Sequence, residues 1–143
     1  MIKEKLTATL FVMLHFVIVL VHGGAHSQLH IHPTIWQRGF ITLVIVIGPV
    51  LAMALVWMRL HKIGLVLFSV TMAGSLFFGV TYHFFVSGSD NALELHHEYW
   101  GSLFRTTAIS LAVIETGAVA WCGWALREIS RLGRGSGVRS GCA

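Results

Sequence analysis

Residues 40–58 read FITLVIVIGPVLAMALVWM, nineteen consecutive residues without a charged side chain. As a helix rising 1.5 Å per residue this stretch is about 28 Å long, close to the thickness of a hydrocarbon core. Gly48-Pro49 predicts a kink within it, because proline removes a backbone hydrogen bond. Working outward, three more apolar stretches have spanning length: residues 6–21 (extending towards Ile31), 63–86 and 100–126. Pro33 and the His/Ser/Gln-rich residues before it separate the first pair. Arg59, His61 and Lys62 separate the second, and the run from Ser87 to Asn91 the third.

The expected fold is therefore all-α: a four-helix transmembrane bundle of one domain, residues 1–132. A Gly/Ser/Arg tail, residues 133–143, is expected to be a flexible cytoplasmic end. Composition agrees. Of 143 residues, 55% are hydrophobic and only 11% charged, whereas soluble domains carry about 25% charged residues. Disorder is excluded by the apolar content, and a disulfide scaffold by a cysteine count of two.

Lys and Arg set the orientation. With both termini cytoplasmic, the inner parts hold Lys3, Lys5, Arg59, Lys62, Arg127, Arg131, Arg134 and Arg139, leaving only Arg38 and Arg105 towards the other side. The net charge of +4 thus reflects topology rather than a nucleic-acid patch. A prokaryotic cytoplasmic (inner) membrane is the expected location, with the lipid bilayer as the first partner. Lys3, Lys5, a short apolar run and Gly23-Gly24-Ala25 also fit a cleavable signal peptide, although His15 interrupts the run.

Small residues recur at four-residue spacing in two spans. They are Ala108, Ala112, Thr116 and Ala120 in the fourth, with Ser75/Gly79 and Ser69/Ala73 in the third. Such stripes let a neighbouring backbone approach. Trp36, Trp57, Trp100, Trp121 and Trp124 lie near span ends, where indoles favour the headgroup region.

Nine histidines carry the chemical information. His22, His26, His30, His32, His83, His96 and His97 fall at or near the outer side, His61 in the cytoplasmic turn, and His15 inside the first span. At 100° per residue, His22, His26 and His30 lie at about −20°, +20° and +60° from His15. They form one stripe if the helix persists past Gly23-Gly24. Polar residues within spans face the bundle interior and mark functional paths. Glu115 is the one acid within a span. It lies about 15 Å from the inner end of its helix, and His15 about 14 Å from the inner end of its own. A buried His15–Glu115 hydrogen bond or ion pair is expected at this matched depth.

Asn91-Ala92-Leu93-Glu94 reads as a capping-box variant that would start a short amphipathic helix in the outer loop before the fourth span. Glu94 and His97 would share a face of that helix. Glu-x-x-His recurs in di-iron bundles, but those need two copies, and this chain has one. Neutral imidazole is the commonest protein ligand for transition metals, and imidazole with carboxylate suits Zn, Cu, Fe or Ni. The candidate metal ligands are His22, His26, His30, His83, His97 and Glu94. Arg105 is expected at the same level as His22 and His26. His22 and His83 are also the best-matched pair for a haem-type cofactor. Cys122 and Cys142 lie away from this cluster, which excludes a Cys-rich zinc site.

His22-Gly-Gly-Ala-His26, Gly48-Pro49 and Thr81-Tyr-His-Phe-Phe-Val-Ser-Gly-Ser-Asp90 together resemble a loose set of small prokaryotic four-span integral membrane proteins of uncharacterised activity. The resemblance covers most of the chain. It implies the four-span topology and a shared role for His22, His26 and His83, and carries no activity with it.

Three functions follow from the residues. The first is an outward-facing histidine site for a transition metal (Cu, Zn or Fe) or haem, serving metal handling or electron transfer. The second is a non-catalytic accessory subunit of a larger membrane complex or a homo-oligomer. The third is a proton-coupled transporter using His15, Glu115 and the histidine stripe. No Gly-x-Ser-x-Gly elbow, P-loop or dinucleotide fingerprint points to a soluble-substrate enzyme. No signature of nucleic-acid binding is present.

Overall fold

A computed structural model describes residues 2–95 and 98–137, with side chains described for all of these but 98 and 132–137. Among the described residues every regular element is helical. Four helices are long and apolar enough to cross a membrane: α1 (Ile2–Gln28), α2 (Ile35–Trp57), α3 (His61–Phe85) and α4 (Glu98–Gly137). The last passes Gly133, where the tail was expected to begin, and continues to Gly137. Residues 138–143 lie outside the described residues.

The four helices close a ring. α1 packs on α4 and α2, and α3 packs on α2 and α4. Moving seven residues along α1, from His15 to His22, moves the contact eight residues back along α4, from Glu115 to Thr107. The two helices are therefore antiparallel, and both chain ends belong to one end of the bundle. The histidines of interest lie towards the other end.

Each helix buries a narrow stripe and leaves its remaining apolar surface bare. On α1 the buried residues are Ala8, Val12, His15, His22 and Ala25, recurring at steps of three, four and seven as one helical face requires. Leu10, Met13, Val17 and Leu20 on the other faces are exposed, as lipid contact demands. Gly23-Gly24 does not interrupt α1. The helix runs on to Gln28, its backbone hydrogen bonds being the only ones open to it inside an apolar phase.

At Gly48-Pro49, where a kink is expected, the winding of the helix changes. Residues Ile41–Ile47 wind as a π-helix directly ahead of it. A proline ring crowds the carbonyl four residues back, and the wider i→i+5 turns relieve that crowding. A second π turn, Thr81–Phe85, ends α3 and carries His83. At the α2–α3 turn the backbones nearly touch. A Cβ on Gly64 would stand 2.6 Å from the Val56 amide nitrogen and 2.9 Å from the Ala52 carbonyl oxygen.

The short helix expected from Asn91 is not shown among the described residues. Residues 92–94 make a turn, and residues 96–97 lie outside the described residues. The Asn91 side chain accepts from Leu93 N at 2.9 Å and donates to Val86 O at 3.1 Å, so it bridges the loop instead of capping a helix. Gly88, at φ 147°, supplies a conformation that side chains disfavour. The loop folds back until Ala92 N donates to His83 O at 2.8 Å.

The small-residue stripe of α4 is only partly used. Ala108 is buried, whereas Thr116 and Ala120 are exposed. Trp36, Trp57 and Trp124 are exposed, and Trp57 also ties two helix ends by donating from Nε1 to Thr9 Oγ1 at 3.0 Å.

Two apolar clusters frame a polar middle. One lies towards the chain termini and includes Val12, Val56, Leu65, Phe68, Met72 and Cys122. The other caps the opposite end with Ala25, Ile31, Ala92 and Phe104.

Candidate metal centre

His22 and His26 stand four residues apart, so they share one face of α1. The π turn at the end of α3 brings His83 against them. Nε2 of His22 lies 3.1 Å from Nε2 of His83 and 3.2 Å from Nε2 of His26. One ligand nitrogen from each of the three rings falls within 4.8 Å of the others. Phe104 of α4, fully buried, packs on all three rings with centroid distances of 4.7, 4.8 and 5.0 Å.

The opposite nitrogens fix the tautomers of two rings. The Thr107 hydroxyl lies 2.8 and 2.9 Å from the carbonyl oxygens of Leu103 and Phe104. With its one proton directed to that pair, it accepts from His22 Nδ1, 2.8 Å away. His83 Nδ1 lies 3.1 Å from the Asp90 carbonyl oxygen and 3.3 Å from Asp90 Oδ1, both acceptors, so it too carries its proton. A neutral imidazole has one N–H. Both Nε2 atoms are then bare lone pairs 3.1 Å apart, and two lone pairs repel unless a cation sits between them. A proton would join only two nitrogens. Three converging nitrogens suit a metal ion, whose tetrahedral bonds of 2.0–2.1 Å place ligand nitrogens about 3.3 Å apart.

Asp90 is the residue that the sequence reading missed. Its Oδ1 lies 3.5 Å from His26 Nε2 as well as 3.3 Å from His83 Nδ1. It supplies negative charge beside the cluster, and its backbone carbonyl orients His83. Ser87-Gly88-Ser89 had signalled a turn. Only the reversal at Gly88 shows that this turn carries Asp90 back over α3.

Among the described residues, the other expected ligands do not join the group. His30 lies beyond the end of α1, exposed, with a φ of 54° that turns the chain off the helical stripe. Glu94 is exposed and accepts from Gly88 N at 3.2 Å. Arg105 donates to Ala92 O at 3.1 Å and holds the loop down rather than lining the site. His96 and His97 lie outside the described residues.

A second polar group sits deeper. His15 Nε2 lies 3.1 Å from Glu115 Oε1, and the Ser75 hydroxyl donates to the same oxygen. His15 is fully buried, and its Nδ1 has no hydrogen-bond partner among the described residues. The hydroxyl of Ser75, a residue of the small-residue stripe of α3, is the third member of this group.

A cavity of about 570 Å³ joins the two groups. His22, His26, His83 and Asp90 line it near one end, and Ser75 and Glu115 line it near the other. Its apolar walls come from α2 (Ile41, Ile45), α3 (Leu76) and α4 (Ala108, Leu111, Ala112). The Ala108 and Ala112 positions of the small-residue stripe thus leave room for a cavity rather than for a neighbouring helix.

Comparison of the chain with protein families, with curated proteins and with solved structures finds no match.

Proposed function

We propose that this protein binds one transition-metal ion at His22, His26 and His83, on the outward side of a prokaryotic inner membrane, and takes part in metal handling there. The observation that supports this most is the convergence of the Nε2 atoms of His22 and His83 with their Nδ1 protons already given to Thr107 and to Asp90. Metal-binding histidines characteristically donate the other ring N–H to a carbonyl, carboxylate or hydroxyl partner, which holds the ring and its tautomer. The Lys and Arg distribution supports placing the termini in the cytoplasm and the triad outside.

Three imidazoles and no thiolate suit zinc or copper. A fourth position is open to the cavity or to Asp90. Haem fits this pair less well. Two axial imidazoles on one iron stand about 4 Å apart, twice a metal–nitrogen bond, with a flat macrocycle between them. The Nε2 atoms of His22 and His83 are 3.1 Å apart with His26 beside them.

Metal analysis of the purified full-length protein, loaded with Zn²⁺ or Cu²⁺ and freed of excess, tests the proposal. One ion per chain is expected, lost on His22→Ala or His83→Ala. Retention of the ion by a His22→Ala/His26→Ala/His83→Ala variant would refute it.

A further inference from the structure

Glu115 is a carboxyl group at mid-span that the metal site does not use. It is only 2% exposed. Both side chains that hydrogen-bond to it, His15 through Nε2 and Ser75 through its hydroxyl, reach Oε1. The carboxyl nevertheless lines the cavity, which leaves Oε2 as the oxygen that can exchange a proton. The other titratable side chains lining that cavity are His22 and His26 from α1, His83 from α3, and His32 and Asp90 from the loops. From α2 and the loop before it come Pro33, Thr34, Gln37, Ile41 and Ile45, none of which titrates.

The way inward is shut. Past the polar group, towards the chain termini, α1 contributes Val12, α2 Val56, α3 Phe68 and Met72, and α4 Ala118 and Cys122 to one buried apolar cluster. Water and ions therefore have an apolar plug on one side of Glu115 and a cavity on the other. His15 and His22 are seven residues apart on one helix, so the carboxyl sits about 10 Å below the histidine cluster.

We propose that Glu115, positioned by His15 and Ser75, is a proton-binding site that exchanges with the outer face alone, through the cavity that passes the histidine triad. An ionisable residue inside a span, facing a cavity and paired with polar neighbours, is the arrangement that proton sites in membranes require. His15 Nδ1 has no partner among the described residues, so a proton on the neutral ring is best placed on Nε2, facing Glu115. A doubly protonated ring would bury an orphaned N–H, so the exchangeable proton belongs to the carboxyl rather than to His15. The site stands on the cavity and the carboxyl, whether or not the triad takes a metal.

The test uses full-length protein in lipid nanodiscs and a small water-soluble carbodiimide, which reacts with protonated carboxyls. Glycine ethyl ester traps the adduct as an amide, and peptide mass spectrometry locates it. Glu115 is expected to be modified, at a rate that falls as pH rises. Ala112→Phe, which fills the passage, should slow the reaction at least tenfold, and Ser75→Ala should shift its pH midpoint. An unreactive Glu115 would overturn the proposal. So would a rate independent of pH, or one unchanged by Ala112→Phe. Saturating Zn²⁺ should protect Glu115 in the wild type and not in His22→Ala. Protection absent despite demonstrated Zn²⁺ binding would overturn the route past the triad. Failure of Zn²⁺ to bind at all would sink the metal reading and leave the proton site standing on the other arms.

Discussion

Thr107 Oγ1 lies 2.8 Å from His22 Nδ1, across the α1–α4 interface. This contact determines which nitrogen of His22 faces the other two histidines. Thr107→Val removes the acceptor at almost unchanged volume and frees the ring to adopt the other tautomer. Metal affinity should fall about 10–100-fold, the usual cost of losing such a partner, while the thermal melting temperature of the metal-free protein changes little. A chelator-competition titration measures the first quantity and a melt the second.

Acid should release the metal. Each ligand must be neutral imidazole to bind, so every proton taken up by the triad competes with the ion. Affinity is therefore highest on the alkaline side and falls as pH drops, with the slope of log K against pH approaching the number of protons displaced. Titrations carried progressively towards acid should show this as release of the ion. Retention of the ion until the protein itself unfolds in acid would mean that it is held elsewhere.

The topology was legible in the sequence because the bilayer constrains it so tightly. Four apolar runs of spanning length can only be helices in an apolar phase, and the His15/Glu115 depth match followed from rise per residue alone. What the sequence hid lies where the backbone leaves the ideal helix. The angular stripe that grouped His22 and His26 also included His30, because nothing in the composition locates the positive φ that ends it. Asp90 was invisible because its approach to His83 depends on the reversal at Gly88. Glu94 was misplaced for the same reason, since it was counted along a loop helix, whereas Arg105 lies on α4 between Phe104 and Thr107, at the expected level, and turns to Ala92 O.

Gly64 is a packing prediction independent of any ligand. Its missing side chain allows α3 to start against the last turn of α2, where a Cβ would stand 2.6 Å from a backbone nitrogen. Backbone cannot yield as a flexible side chain can. Gly64→Ala should destabilise the bundle by about 1–3 kcal/mol, the usual cost of overpacking, read as a lower melting temperature. Gly23→Ala and Gly24→Ala, where an added methyl meets nothing within 4 Å, should leave it unchanged or raise it.

The His15–Glu115 contact should matter more for specificity than for gross stability. Hydrogen bonds between membrane helices average about 0.6 kcal/mol and reach about 1.7. Glu115→Gln keeps an acceptor for Ser75 and His15 and should cost less than about 1 kcal/mol. His15→Leu strips one donor from a buried carboxyl and should cost about 1–3 kcal/mol. Reversible unfolding in mixed detergent separates the two.

X-ray absorption at the metal edge of the Zn²⁺-loaded full-length protein reads the first shell without reference to stoichiometry or stability. The account predicts three imidazole nitrogens at about 2.0–2.1 Å and one further light ligand, reduced in the His26→Ala variant. A shell containing sulfur, or one with fewer than two imidazoles, would contradict the assignment of the centre to His22, His26 and His83.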